Sequence, residues 1–162
     1  MSDFKAEIKT TLLAIEGRAP SDDDTVLLAR LVPIVNNIAV YMGIVPQWAL
    51  CIALRDNKPD ETHVAECLWP VLYKKATIVF DRAQIRSMTD TEIIQTIVHE
   101  MLHLVIAPLD DMMREETGRN SYVFMHYSDL REGVTDAITN IMLKMLNGGE
   151  LTTYISVRKE GT

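Results

Sequence analysis

The run His99-Glu100-Met101-Leu102-His103 constrains this chain more than any other stretch of it. Histidines four apart on a helix project from the same face, one turn above the other. Two imidazoles so placed can hold one zinc ion from one side, and a glutamate next to the first can act as a base on water that the ion activates. The surroundings call for a helix. Thr89 reads as an N-cap with Glu92 as its capping-box partner. Ile93, Ile94, Ile97, Val98, Met101, Leu102, Val105 and Ile106 follow. That apolar face is wide enough for burial on most sides. Pro108 is expected to stop the helix near Ala107. Imidazoles and a carboxylate in such a helix need polar partners, because unpaired buried polar groups are costly. A metal satisfies the histidines.

Two histidines leave a catalytic zinc short of its usual three protein ligands. Downstream, His126, Asp129, Glu132 and Asp136 carry suitable groups. Residues 128–146 read as a second helix, capped by Ser128 or Asp129 and ended by Asn147-Gly148-Gly149. Leu130, Val134, Ala137, Ile138, Ile141, Leu143 and Leu146 supply its expected apolar face. Glu132 and Asp136 are one turn apart, so Glu132 can reach a metal while Asp136 accepts a hydrogen bond from a ligating imidazole. Gly133 is poor helix material, and close approach of another helix is its expected reason.

The pattern H-E-x-x-H followed by E-x-x-x-D on a later helix resembles the glutamate-ligand branch of the zincin metallopeptidases, the gluzincins, of which thermolysin-type enzymes are familiar members. The resemblance covers roughly residues 75–146. It implies His99, His103 and Glu132 as zinc ligands, Glu100 as general base, and Asp136 as the carboxylate behind a ligand. It implies an α+β fold, mostly helical, with a small sheet packed against the motif helix. In that family a strand before the motif helix runs along the cleft and pairs with extended substrate. Residues 75–80 fit that strand, with an open edge expected at Ala76 to Phe80. Twenty-eight residues separate His103 from Glu132, and 162 residues leave no room for a large second domain. The chain is therefore similar to minimal zincins, the short bacterial and phage proteins that include the SprT-like and ImmA-like groups. Ile106 stands where the metzincin extension has glycine. Leu102 stands where peptide deformylases have aspartate, and no glycine precedes Cys67.

The rest of the chain supports a single domain, 1–162, with a helical part over 1–70. Residues 1–16 place Phe4, Ile8, Leu12 and Ile15 on one helical face. A second helix runs from about Thr25 toward Tyr41, with Pro33 expected to kink or interrupt it and Gly43 marking its end. Trp48 to Leu54 is a short helix or a buried strand. Residues 57–60 are a turn, Glu61 to Leu68 a helix, 71–80 extended, and Leu151 to Val157 a final strand. Residues 109–127 lack periodicity and read as a loop, either a lid over the metal or a plain connection. Tyr122, His126 and Tyr127 lie there as donors for a tetrahedral oxyanion, and Tyr127 is first among them because it adjoins the ligand helix.

A net charge of −7, from 16 basic and 23 acidic residues, argues against nucleic acid as a partner. The N-terminus lacks a signal-peptide pattern, and no uninterrupted apolar run is long enough for a membrane span. Two cysteines make no disulfide scaffold. These features imply a cytoplasmic protein, and the resemblance implies a zinc endopeptidase acting on a protein or peptide substrate. The competing expectation is a phage or bacterial interaction module on the same fold. Intact Glu100 favours the enzyme, since a purely structural zinc site needs no base.

Overall fold

The computed structural model describes residues 21–45, 47–56, 63–69, 74–118 and 121–147. The expected helix at 1–16, the turn at 57–60 and the strand at 151–157 lie outside them. The described residues form an α+β fold, mostly helical, with a small three-stranded sheet. In chain order the elements are α1 (Asp22–Tyr41), β1 (Ala49–Arg55), β2 (Ala65–Leu68), β3 (Lys75–Asp81), α2 (Arg82–Ser87), α3 (Asp90–Thr117) and α4 (Tyr122–Asn147). Two compact units divide the chain, Met1–Asp111 and Met112–Thr162.

Helix α1 begins at a capping box. The Ser21 hydroxyl accepts from the Asp24 N–H, and the Asp24 carboxylate accepts from the Ser21 N–H. Leu27, Leu28, Leu31, Ile34, Val35, Ile38 and Ala39 form its buried face. Burying each large aliphatic side chain is worth roughly 1.5–3 kcal/mol. That gain keeps the helix continuous through Pro33, where one backbone hydrogen bond is lost. Gly43, at φ 68°, follows the last turn in the left-handed conformation that glycine adopts without strain.

Within the sheet the order is β1-β3-β2. Strand β1 runs parallel to β3, from Ala49 opposite Lys75 to Arg55 opposite Asp81. Strand β2 runs antiparallel to β3, from Ala65 opposite Phe80 to Leu68 opposite Thr77. Two expectations are corrected here. The helix expected over Glu61 to Leu68 is replaced, among the described residues, by a strand at Ala65–Leu68 with Ala65 and Cys67 inward and Glu66 and Leu68 more exposed. Such period-two burial satisfies a four-residue segment better than one helical turn could. The strand at Ala76 to Phe80 forms, but it is central: both of its edges are taken, by β1 and β2. Peptide addition to β3 is therefore excluded. The fully buried side chains of Ile78 and Phe80 show why this apolar segment sits in the middle.

Asp81 ends β3 and caps α2 by accepting from the Gln84 N–H at 2.8 Å. Arg30 on α1 then locks the start of α3. Its guanidinium donates to the Asp90 carboxylate at 2.7 Å, to Met88 O at 2.7 Å and to Ile85 O at 3.3 Å. Arg82 donates to Asp24 at 2.7 Å, joining α2 to the first turn of α1.

Helix α3 starts as expected. The Thr89 N–H donates to Glu92 at 2.7 Å, and the Glu92 N–H to Thr89 Oγ1 at 3.3 Å. It does not stop at Pro108 but runs to Thr117, 28 residues in all. A mid-helix proline costs roughly 3 kcal/mol, and burial of apolar side chains such as Met101, Leu104 and Ala107 before it offsets that loss. The segment 109–127 is consequently no loop. Gly118, at φ 74°, ends α3, its N–H donating to Arg114 O at 3.0 Å. Helix α4 opens at Tyr122 behind Ser121, whose Oγ accepts from the Phe124 N–H at 3.0 Å; Ser128 and Asp129 are inside the helix rather than at its cap. Residues 110–117 carry five charged side chains and few apolar ones. Their helicity comes from backbone propensity and leaves no apolar stripe to read.

On α4 most of the expected apolar face is exposed. Leu130, Val134, Ile138, Ile141 and Met145 are exposed, while Thr135, Thr139 and Leu146 are buried. A Cβ at Gly133 would meet nothing within 4 Å, so no close approach accounts for that glycine. By length and composition alone, α1 and α3 each reach the range of a membrane-spanning helix, with 44% and 50% of the relevant stretch buried inside the protein. A helix of a protein core passes the same test.

Candidate metal centre

Helical spacing brings His99 and His103 together on α3. Their Nε2 atoms are 3.2 Å apart, with the rings edge to face at a centroid distance of 4.9 Å. Zinc–imidazole bonds of ~2.05 Å at a tetrahedral angle separate two ligand nitrogens by about 3.3 Å. The pair is thus spaced as two corners of a zinc tetrahedron. His103 is buried and His99 half-buried. Trp69, just after β2, lies along His103 with ring centroids 6.3 Å apart and planes 19° from parallel, forming an apolar wall at the ligand.

Between the two histidines, Glu100 points at the sheet. It is 9% exposed, and its Oε2 accepts the backbone N–H of Cys67 on β2 at 2.8 Å. The contact is charge-assisted and shielded, so it is among the stronger hydrogen bonds a carboxylate can make. The Cys67 thiol is buried beside it. Burial pushes its pKa up, and the charges of Glu100 and Glu66 push it further, so the thiol stays protonated.

Glu132 lies on α4, half-buried, with Arg131 donating to its carboxylate. His99 and His103 each offer a ligand nitrogen on α3, and Glu132 on α4 carries the carboxylate that the resemblance implies as the third ligand. Two imidazoles and a carboxylate are a donor set suited to a divalent ion such as zinc. The histidine pair fits a metal-binding site, consistent with catalysis.

Other residues singled out from the sequence fall as follows. Asp136 is exposed, one turn beyond Glu132. Tyr127 is half-buried in α4, its ring 6.1 Å from that of Phe124, and His126 is exposed and stacks on Tyr122 at 6.3 Å. His63, between β1 and β2, is exposed, and its carbonyl accepts from Gln84. Sequence reading missed Trp69 and the main chain of Cys67. Trp69 lay in a stretch with no periodic signal, and a backbone N–H has no side-chain signature at all.

Fold and histidine pair together define an α+β protein with a candidate site of metal-binding type. Comparison with protein-family models, curated proteins and solved structures finds no match to the chain.

Proposed function

We propose that this protein is a zinc-dependent peptidase acting on an intracellular protein, with His99, His103 and Glu132 holding the metal. The observation that carries this reading is the 3.2 Å Nε2 pair on the turn that also bears the buried Glu100. A divalent ion bound there supplies Lewis acidity, polarising a carbonyl and acidifying water. Glu100 takes the proton from the attacking water and returns it to the leaving nitrogen. Trp69 excludes solvent from one side of His103, which strengthens electrostatic interactions at the ligand. Tyr127 is the proposed hydrogen-bond donor to the developing oxyanion, and Asp136 the proposed partner of a ligand imidazole.

The experiment is a proteome-wide cleavage screen with zinc-loaded wild type and Glu100→Gln. New peptide termini made by wild type and missing with the variant are the expected result. The same termini from both proteins would refute the base assignment.

A second reading, a binding module that keeps the metal site without turnover, draws on two observations. Strand β3 has no open edge, and the exposed apolar side chains from Leu130 to Met145 give α4 a face suited to a protein partner. Zinc binding with no cleavage in the screen is its expected signature.

A further inference from the structure

Antiparallel pairing decides which groups of β2 face outward. Asp81 N–H donates to Val64 O, so Val64 and Asp81 form a hydrogen-bonded pair. Such pairs alternate along a ladder, which makes Glu66–Val79 and Leu68–Thr77 hydrogen-bonded as well. Ala65 and Cys67 occupy the intervening positions, so their N–H and C=O groups point away from β3. Among the described residues β2 is an edge strand, and an outward N–H of this kind is where a carbonyl of an added strand docks. In this protein that place is filled: the Cys67 N–H donates to Glu100 at 2.8 Å.

We propose that the Glu100–Cys67 contact is a latch released by an extended peptide. The peptide adds antiparallel to the outer edge of β2, and one of its carbonyls takes over the Cys67 N–H. Glu100 thereby loses its partner on the sheet, and its Oε2 becomes available for proton transfer. The base is held off until a strand lies on that edge. The proposal rests on the peptidase reading for the role of Glu100. The contact itself involves only α3 and β2, and the latch is tested without metal.

Three proteins are compared in chelator: wild type, Glu100→Ala and Cys67→Pro. Proline removes the outward N–H while leaving the ladder to β3 intact, as edge strands permit. The first readout is amide hydrogen exchange at residue 67 by NMR. Exchange slowed in wild type and faster by at least ~10-fold in Glu100→Ala is expected, given the strength of a charge-assisted bond. Equal exchange in the two proteins overturns the proposal. The second readout is association with unfolded β-casein as the extended-peptide probe. Glu100→Ala, with the competitor gone, should bind roughly 10-fold tighter than wild type, and Cys67→Pro, with the donor gone, more weakly. A residue that merely supports the fold would shift both variants the same way. Binding by Glu100→Ala that is absent, or no tighter than wild type, overturns the latch. If Glu100→Ala does not fold, Glu100→Asp, one methylene too short for the contact, carries the same expectations. Failure of the peptidase reading shows separately, as wild type that binds no zinc or cleaves nothing.

Discussion

His99 and His103 hold their Nε2 atoms 3.2 Å apart on consecutive turns of α3, and Glu100 between them in sequence accepts the N–H of Cys67. The helix turn thus offers two imidazole nitrogens to a cation, while the carboxylate beside them is bonded to the sheet.

One zinc per chain is the first expected outcome, measured by elemental analysis. His103→Ala should lower affinity more than ~100-fold. His63→Ala and His126→Ala, which change exposed histidines outside the pair, should leave it unchanged. Because Trp69 lies along His103, cobalt binding should quench its fluorescence, and Trp69→Phe should remove that signal.

Glu132→Gln should weaken zinc binding more than Asp136→Asn, for which a loss of ~10-fold to 100-fold is expected. A neutral amide is a poor ligand for a hard dication, whereas a residue acting through an imidazole only tunes it. Competition against a calibrated chelator ranks the two variants; the reverse order would remove Glu132 as the third ligand.

Asp24 predicts a pH dependence. Its carboxyl is held below the ordinary aspartate range, first by the Ser21 N–H, with burial opposing and Arg82 adding to the depression. A depressed folded-state pKa contributes stability above the unfolded value, near ~4, and loses it as pH falls through the folded value. Asp24→Asn should lower stability at neutral pH by removing one of the two carboxylates paired with Arg82, which keeps Asp56 at 2.9 Å. In thermal melts the wild type should then lose its advantage over the variant as the solution is acidified below that range.

Helix α4 should be easy to stabilise. Gly133→Ala adds a Cβ into open space and removes backbone freedom from the unfolded chain, a gain of ~1 kcal/mol. Thr139→Val replaces a buried hydroxyl that has no hydrogen-bond partner among the described residues with a methyl of equal shape. Each should raise the melting temperature by about 2–4 °C. A drop in either would place an unseen contact at that position.

Much was legible in the sequence because it is local. The capping of α3 by Thr89 and Glu92, the shared face of His99 and His103, the end of α1 at Gly43 and the existence of a strand at 75–81 each follow from residues within a turn or two of one another. Their spacing alone determines which groups can meet. Only the tertiary structure decided that β3 is central and β2 the edge, that α3 continues through Pro108, that α4 leaves most of its apolar stripe exposed, and that Glu100 finds a partner 33 residues away on Cys67. Those outcomes depend on which distant surfaces are buried and which backbone donors remain once the sheet has paired. Long-range competition for partners settles them, and periodicity along one segment does not record it.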